Sequence, residues 1–536
     1  MPTPASDPFE IEVFRHLFAS VAEEMGVTVQ RSAHSPNIKE RRDHSCAVFD
    51  ADGRMIAQAA HIPVHLGSMP ASVTAAIEAY EGTAPTPGDV LIVNDPYLGG
   101  THLPDITTVS PVFVGSERRP RHWGWVATRA HHADVGGLAP GSMPPSTELY
   151  HEGLIIPPLK LVDAGRLDQQ LVEIICRNVR TPEERRGDLE AQLASHRVGE
   201  ARLAQFARRY GAEPLRRRAE ALLAYSEKLA RARLQVVPDG TYGFTDYLDD
   251  DGAGGPAIPI KVTIQARSGR LSFDFAGTGP AAAGALNAPE AVTRSAVIYV
   301  ARCLMGDDVP ANDGATEPLE VIVPAGTVLN PPRPHAVAAG NVETSQRVVD
   351  VLWGALAHAL PHVVPSASQG TMNNLIIGGF DPRHGRAFTY YETIAGGAGA
   401  GPDGPGADAV QVAMTNTLNT PIEAMELAYP LAARRYAIRR GSGGRGRHRG
   451  GDGVIREIET LVPAVVTIVT ERRKRQPWGS AGGQAGSSGV NRGVIGDTLR
   501  DLPGKAAMEL AAGDVIRIET PGGGGWGTSR GPWQPA

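Results

Sequence analysis

Cysteine and long apolar runs are both scarce in this sequence, and each scarcity argues against a class of protein. Only three cysteines, Cys46, Cys176 and Cys303, occur among 536 residues, and they lie far apart. A disulfide framework is therefore not expected, and a reducing, cytoplasmic compartment is favoured. No run approaches 18 apolar residues, and the first residues lack a basic start followed by an apolar core. We therefore expect neither a transmembrane helix nor a signal peptide.

Positive charge is also in the minority. The chain has 52 lysines and arginines against 58 aspartates and glutamates, a formal net charge of -6. This balance argues against a mainly nucleic-acid-binding role. Two catalytic motifs are missing as well: the Gly-x-Ser-x-Gly elbow of serine hydrolases and the Gly-x-x-x-x-Gly-Lys-Ser/Thr phosphate loop. Neither a serine hydrolase nor a self-contained P-loop ATPase is therefore expected.

Glycine and proline are abundant, with 63 and 43 residues, and they indicate many defined turns. The length predicts two to four domains. Helical and strand patterns alternate, so we predict an α+β fold of several domains with mixed sheets. The predicted regions are a metal-site α+β region over 1–165, a charged helical segment over 166–238, an α+β region over 239–365 and a β-rich region with Gly-rich loops over 366–536.

Local patterns predict individual elements of this fold. Asp7 and Pro8 predict a helix start, followed by an apolar stripe at helical spacing that includes Phe14, Phe18 and Met25. The predicted strands are a hairpin of 46–49 and 55–57 and single strands at 89–93, 123–128, 271–275 and 319–323. Helices are predicted within 168–235 and at 287–305 and 348–360. Gly-rich loops are predicted at 396–406, 441–453, 479–489 and 522–527. The alternating arginines and glutamates of the helical segment from about 168 to 235 are interpreted as a solvated face. The glycines at 522–525 are interpreted as a structural turn, since no helix follows them.

Two polar motifs follow directly after predicted strands. Asn94–Asp105 and Arg129–Gly137 together contain three histidines and three aspartates. Rigid strands commonly hold such loops in functional sites. The bland alternative is that these histidines merely satisfy backbone groups in tight turns.

The favoured interpretation is a metal site. Its predicted ligands are Asp43, His102, Asp105 and His131. Two imidazoles and two carboxylates suit Zn²⁺ or Mn²⁺ and do not suit Ca²⁺, which prefers oxygen ligands alone. His132 and Asp134 are the predicted catalytic residues, but the sequence leaves open whether they act as a general base, as ligands or as groups that orient a ligand. It also leaves open which of His131 and His132 is the ligand.

These motifs resemble those of the hydantoinase B/oxoprolinase family, and the resemblance covers nearly the whole chain. The matching segments are Ser35–Ala47, Asn94–Asp105, Arg129–Gly137, Pro140–Pro144, Arg180–Leu189, Asp274–Thr278, Gly340–Arg347, Thr415–Thr417 and Thr520–Gly527. The combination is specific for the family and much less so for the substrate. His44 departs from the apolar or aromatic residue more usual after Asp43, which puts the surroundings of that aspartate in question.

The resemblance implies one subunit of a two-component, ATP-dependent enzyme that opens a cyclic amide such as a hydantoin, 5-oxoproline or a lactam. The partner would be a hydantoinase A-like ATPase subunit that binds ATP and Mg²⁺ and phosphorylates the substrate, in a hetero-oligomer such as a dimer of heterodimers. This chain would hold a divalent metal, Zn or Mn, at His102, Asp105 and His131, with Asp43 as the fourth ligand. No nucleic acid or membrane partner is implied.

Two other functions stay open. The first is the equivalent subunit of an ATP-dependent acetone or acetophenone carboxylase, although large carboxylase subunits tend to be longer than 536 residues. The second is a non-catalytic scaffold whose metal is structural. Because the sequence contains no recognisable ATP-binding motif, the purified chain alone is expected to be inactive.

Overall fold

A seven-stranded antiparallel sheet organises the first part of the chain in the computed structural model, which describes residues 8–59, 62–80, 82–116, 118–496 and 498–528. Its strands are β1 His44–Asp50, β2 Met55–Gln58, β3 Val90–Val93, β4 Asp105–Ser116, β5 Arg119–His131, β6 Leu159–Asp163 and β7 Arg166–Leu167, in the spatial order β2-β1-β5-β4-β3-β6-β7. The helices are α1 Pro8–Ser32, α2 Pro36–Lys39 and α3 His65–Glu78. The predicted hairpin is confirmed as the β1–β2 pair.

Helix α1 covers one face of this sheet. Its predicted stripe is confirmed, since Phe14, Phe18 and Met25 are buried in one core cluster together with Val48 and Val126 of the sheet. The predicted N-cap Asp7 lies outside the described residues. Within the described part of the chain, no helix combines the length and the apolarity needed to span a bilayer.

Three helices follow the sheet, as the sequence predicts for 168–235. They are α4 Gln169–Arg177, α5 Pro182–Tyr210 and α6 Ala212–Leu234, and α5 packs on α1, β4 and β5. The prediction of a solvated charged face is wrong at the start of α5. Arg185 and Asp188 are both fully buried, and their side chains pair at 2.8 Å. The pair is tolerated in the interior because Asp188 also accepts the backbone N–H of His34 and Ser35.

A second, four-stranded sheet continues the chain. Its strands are β8 Gly240–Leu248, β9 Ile258–Arg267, β10 Arg270–Asp274 and β11 Leu319–Ile322, in the order β11-β10-β9-β8; the helices of this region are α7 Glu290–Met305, α8 Asp313–Thr316 and α9 Ser345–Ala359. A π-helical turn, Gly340–Thr344, leads into α9. Helix α7 begins three residues later than predicted because the Asn287 side chain instead hydrogen-bonds the loop backbone at Ala282, Gly284 and Ala336.

The last part of the chain forms two packed sheets. Its elements are β12 Asn374–Asp381, β13 Arg386–Thr393, α10 Ile422–Ala428, β14 Leu431–Arg439, β15 Gly453–Thr460, β16 Ala464–Val469, β17 Val490–Ile495, β18 Thr498–Leu502, β19 Lys505–Leu510 and β20 Val515–Glu519. The sheet orders are β13-β12-β16-β19 and β14-β15-β20-β17-β18. Four sheets with helices between them confirm the predicted α+β class; the four domain boundaries stay a prediction.

The Gly-rich loops of this part come together, and we call residues 396–406, 441–453, 479–489 and 522–527 the glycine layer. Its loops are joined by hydrogen bonds between backbone groups. Examples are Gly397 N–H to Pro521 O at 3.0 Å, Gly523 N–H to Gly451 O at 2.9 Å, and Gly525 N–H to Gln484 O at 2.9 Å. A Cβ added at Gly523 would lie 2.0 Å from the carbonyl oxygen of Ala398. The layer therefore packs backbone on backbone, which is possible because glycine has no side chain.

Candidate metal centre

The register of one strand pair places two of the predicted ligands side by side. Asp105 is the first residue of β4, His131 is the last residue of β5, and the two are directly opposite each other in the antiparallel ladder. Asp43 precedes β1 at the same edge, where its carbonyl accepts the backbone N–H of His131 at 3.0 Å. His102 lies in the turn before β4, where its carbonyl accepts the N–H of Asp105 at 3.1 Å. The sheet edge thus gathers all four residues.

Three of these side chains converge on one point. His102 Nε2 and His131 Nδ1 each lie 3.2 Å from Asp105 Oδ1, and the two nitrogens are 3.2 Å from each other. Among the described residues, His102, Asp105 and His131 form a group with the spacing needed to hold a metal ion. All three are buried.

This triangle fits a divalent transition metal. Bonds of about 2.0–2.1 Å in a tetrahedral arrangement place neighbouring donor atoms about 3.3 Å apart. The observed 3.2 Å edges are close to that value. Nδ1 of His102 faces the carbonyl oxygen of Ala338 at 3.3 Å, so the neutral imidazole carries its proton there and directs the lone pair of Nε2 at the triangle. Imidazole nitrogens and a carboxylate oxygen are donors that suit Zn²⁺ or Mn²⁺.

Burial and neighbouring charges shift the pKa values of all three residues of the cluster. Burial acts to raise the pKa of Asp105, but hydrogen bonds and positive charge from His102, with hydrogen bonds from His131 and His65, hold that pKa well below its ordinary value. Burial acts to lower the pKa of His102, yet the neighbouring Asp105 carboxylate raises it overall. Burial dominates at His131 and lowers its pKa. The carboxylate is therefore ionised and the His131 imidazole tends to be neutral, as metal ligands must be, whereas the raised pKa of His102 means that this residue releases its Nε2 proton when a metal binds.

A small cavity of about 20 Å³ lies against the triangle, enough for about one water-sized occupant. Asp43, His65, Asp105 and His131 form its polar side, together with Asn341. The remaining lining residues are apolar or carry hydroxyl groups: Ile62, Val64, Val342, Met372, Tyr391, Thr393, Met414, Thr415 and Thr417. Asp43 thus borders the cavity, although it is not one of the three converging donors.

Sequence reasoning missed the groups that hold Asp105 in place. His65, at the start of α3, has its Nε2 3.4 Å from Asp105 Oδ2, and its Nδ1 lies 2.9 Å from Ser45 Oγ. The Thr101 hydroxyl donates to the same carboxylate oxygen. His65 is only 20 residues from Ser45 but follows no predicted strand, so the criterion applied to the other histidines did not select it.

Another part of the cavity wall, next to His131, is built around a buried arginine. Tyr391 stacks on the His131 ring at a centroid distance of 4.9 Å, and the Arg41 guanidinium lies 4.5 Å from the Tyr391 centroid. Arg41 donates to Thr393 Oγ1 at 3.0 Å and to Thr417 Oγ1 at 3.4 Å. Arg41 is fully buried, so this wall carries positive charge close to the cavity. Both Arg41 and Thr417 lie in segments that carry the family resemblance, a signal that could have found them.

The structure does not bring the predicted catalytic residues His132 and Asp134 to the cavity wall. His132 Nε2 lies 3.0 Å from Gln192 of α5, and burial lowers the pKa of this histidine to about 4. Asp134 accepts the backbone N–H of Gly136, Gly141 and Arg180 and the Arg180 guanidinium. These contacts hold a loop together and join α5 to the sheet. A catalytic role for either residue stays a prediction, without support from this geometry.

The contacts of Asp95, the third aspartate of the two motifs, also stabilise the local structure and do not reach the metal cluster. It caps the short 3-10 turn Pro96–Leu98 by accepting the N–H of Tyr97, and it pairs with Arg333 at 2.7 Å. The first motif therefore contributes His102 and Asp105 to the cluster and uses Asp95 for its own turn.

Comparison with known proteins identifies the family. Residues 7–529 match the family described as hydantoinase B/oxoprolinase. The chain belongs to this family. The resemblance that the motifs indicated is thereby confirmed.

Similar proteins fall into two length classes. An uncharacterized protein of Methanocaldococcus jannaschii is 42% identical over 97% of this chain and 91% of its own length. A Pseudomonas sp. protein named as the B-type component of a D-/L-hydantoinase is 34% identical over 97% of this chain and 90% of its own length. Arabidopsis thaliana 5-oxoprolinase 1 is 41% identical over 98% of this chain, but the chain spans only 42% of its length.

Two solved structures share the fold. The ATP-dependent caprolactamase from Pseudomonas jessenii superposes with a TM-score of 0.88 at 28% identity, covering 97% of this chain and 91% of that one. An acetone carboxylase structure also superposes with a TM-score of 0.88, at 20% identity, covering 97% of this chain and 76% of that one. The second likeness shows a common fold.

Proposed function

We propose that this chain is the metal-binding subunit of an ATP-dependent cyclic-amide hydrolase that opens a hydantoin, 5-oxoproline or lactam ring. The observation that carries the proposal is the triangle of His102, Asp105 and His131 donor atoms, with edges of 3.2 Å, beside a small cavity that Asp105 and His131 line. It is supported by membership of the hydantoinase B/oxoprolinase family and by likeness to a 5-oxoprolinase, a hydantoinase component and a caprolactamase.

The proposed metal ligands are His102, Asp105 and His131, with Asp43 as the fourth. When bound, Zn²⁺ or Mn²⁺ supplies Lewis acidity towards a substrate oxygen and lowers the pKa of bound water. The chain's own residues set up that chemistry: His65 and Thr101 orient Asp105, and the Ala338 carbonyl fixes the tautomer of His102. Apolar side chains on the cavity wall, such as Ile62, Met372 and Met414, exclude bulk water.

The wall of Arg41, Thr393 and Thr417 is proposed to face the substrate. Its hydroxyl groups offer hydrogen bonds, and the buried guanidinium behind them favours an oxygen that gains negative charge during ring opening. Because the guanidinium is already held by Thr393, Thr417 and Asn37, little reorganisation is needed when that charge develops. This arrangement is typical of preorganised electrostatic stabilisation.

A second subunit is proposed to supply the ATP chemistry. The sequence has no phosphate-binding P-loop, and the chain spans less than half of 5-oxoprolinase 1 but nearly all of the protein named as a B-type hydantoinase component. We therefore propose a hydantoinase A-like partner that binds ATP and Mg²⁺, in a hetero-oligomer such as a dimer of heterodimers. The cytoplasm is the proposed compartment, since the three cysteines are unpaired.

The proposal is tested by substituting His102 in the complex with the ATPase partner. His102→Gln should abolish metal binding and reduce ATP-dependent ring opening at least ~100-fold, because loss of a ligand exceeds the effect of losing an outer-shell partner. Metal content is measured by mass spectrometry, and turnover of 5-oxoproline, hydantoin and caprolactam by chromatography. His196→Gln is the matched control: His196 is also buried and bonds Thr108 Oγ1 at 2.7 Å, but it does not line the cavity. Its metal content should be unchanged.

Two outcomes would replace the proposal. If His102→Gln loses its metal yet keeps full activity, the metal is structural and the chain is a scaffold. If labelled bicarbonate enters a product when acetone or acetophenone is supplied, the chain belongs to a ketone carboxylase. Turnover by the isolated chain, free of any partner, would refute the division of labour.

A further inference from the structure

Asn341 faces the metal-binding nitrogen of His102 from another part of the chain. Its Nδ2 lies 3.1 Å from His102 Nε2, although 239 residues separate the two in sequence. The residue is buried, with 4% of its surface exposed, and it borders the cavity. Its carboxamide oxygen has no hydrogen-bond partner among the described residues. A buried, unpaired amide oxygen costs free energy, so its position needs an explanation.

A metal ion and the Asn341 amide group compete for the same lone pair. In the neutral form of His102 that a metal requires, the Nδ1 proton faces Ala338 and Nε2 offers a single lone pair in the plane of the ring. That lone pair either accepts the Asn341 N–H or binds a metal, but not both. Metal binding at His102 must therefore release the Asn341 amide nitrogen.

The distance of the amide from His102 is the distance expected between two donors of one coordination shell. The 3.1 Å separation of Asn341 Nδ2 from His102 Nε2 is close to the 3.2 Å edges of the donor triangle. Half a turn about the bond to the carboxamide exchanges its nitrogen and oxygen. The turn would place the unpaired oxygen, a metal-binding atom, where the nitrogen now lies.

We propose that Asn341 is a further ligand of the metal and that its carboxamide turns to bind through Oδ1 as the metal enters. This inference rests on the proposed metal site at His102, Asp105 and His131. An amide oxygen is a hard, neutral donor that favours Mn²⁺ over Zn²⁺. Asn341 therefore raises the number of ligands and shifts the choice of metal without changing the charge of the site.

The backbone around Asn341 is fixed, so the side chain is the part able to move. Asn341 lies in the π-helical turn Gly340–Thr344, a distortion frequent at functional sites. Gly340 packs so closely that an added Cβ would lie 1.8 Å from the Asn287 carbonyl oxygen. Glu152 accepts the N–H groups of Val337 and Ala338 at 2.9 Å each. One rigid segment thus carries both the carbonyl that orients His102 and the proposed ligand.

The test compares metal affinities of variants of the full chain in complex with its partner. Asn341→Leu keeps the shape and removes the oxygen; it should weaken Mn²⁺ binding about 10–100-fold and Zn²⁺ binding less. Asn341→Asp restores an oxygen and should retain Mn²⁺. Affinities are measured by chelator competition, and the Mn²⁺ environment by electron paramagnetic resonance. Thr415→Val is the matched control, because Thr415 borders the same cavity but is not one of the converging donors, and it should leave both affinities within about twofold.

Each outcome decides the inference. If the wild type and Asn341→Leu prefer Mn²⁺ over Zn²⁺ to the same degree, the inference that Asn341 is a ligand is overturned. The proposed metal site would still stand in that case if His102→Gln lost the metal. Absence of metal from the wild type would overturn both proposals. If Asn341→Leu fails to fold, Asn341→Asp decides: an unchanged resonance spectrum of bound Mn²⁺ would count against ligation, and an altered spectrum with retained affinity would support it.

Discussion

The metal-centre cavity and the inner segment of the glycine layer, residues 522–527, are both buried and rich in polar atoms, but the hydrogen-bond partners of those atoms differ. The cavity uses side chains: His65, His102 and His131 contact Asp105, and Arg41 contacts threonine hydroxyls. In the glycine layer, backbone N–H groups donate to backbone carbonyls of neighbouring loops.

The difference teaches what each region tolerates. The glycine layer has no room for a single added carbon atom at Gly523, whatever its chemistry. The cavity has room for about one water but depends on the charge and donor pattern of each side chain. Volume should therefore govern substitutions in the layer, and chemistry should govern them in the cavity.

The largest effect on stability is expected in the glycine layer. Gly523→Ala would place a methyl group 2.0 Å from the Ala398 carbonyl oxygen, and the layer must separate to admit it. We expect a loss of roughly 3 kcal/mol or more in the free energy of unfolding, seen as a lower thermal midpoint.

Gly401→Ala is the matched control in the same layer, since nothing lies within 4 Å of its added Cβ. Its midpoint should change little. Equal effects at Gly401 and Gly523 would show that close backbone packing is not what limits the layer.

A smaller loss of stability is expected when a side chain of the cavity wall is replaced by another of the same charge but with fewer hydrogen-bond donors. Arg41→Lys keeps the positive charge but loses the fork of donors to Thr393, Thr417 and the Tyr391 carbonyl. We expect a loss of roughly 2 kcal/mol in unfolding free energy and a lower kcat for ring opening. The neighbouring Arg42 is exposed, and Arg42→Lys should change neither quantity. A fully active Arg41→Lys complex would remove Arg41 from the proposed mechanism.

The smallest effect expected is the pH dependence of stability that arises from His196, a buried histidine between the sheet and α5. Burial lowers the pKa of His196 to about 3, against about 6.5 for an ordinary histidine. Below pH 6.5 the unfolded chain binds a proton that the folded chain does not, so stability falls as pH drops towards 3. From pH 6.5 to 5.5 the contribution is on the order of 1 kcal/mol.

His196→Gln should therefore flatten the acid side of the stability profile, measured by thermal midpoints at the two pH values. His16→Gln is the control, because His16 lies on the surface of α1 with 72% of its side chain exposed. An unchanged slope in His196→Gln would show that the pKa of His196 is not lowered by folding.

Sequence patterns predicted the residues at the strand ends well and the residues that surround them from other elements poorly. Strand patterns before Asn94 and His131 placed both polar motifs at strand ends, and the ladder then sets Asp105 opposite His131. His65, Asn341 and Tyr391 reach the same place from α3, from a π-helical turn and from β13. No periodicity reports such long-range convergence, because it depends on how sheets and helices pack after they form.

The charged start of α5 also shows that local sequence does not reveal long-range packing. Arg185 and Asp188 have the spacing of an ordinary surface ion pair, yet both are fully buried. Local sequence cannot distinguish the two situations, since the pairing is identical and only the packing of α5 on the rest of the molecule differs.

The separation of His102 and Asn341 along the chain has a consequence for biosynthesis. Asp105 and His131 meet within one hairpin, whereas His102 and Asn341 are 239 positions apart in the sequence. At about 5–20 residues per second, a ribosome needs roughly 10–50 s to cover that distance. The nascent chain thus exposes the first three metal donors well before the residue proposed to tune their choice of ion.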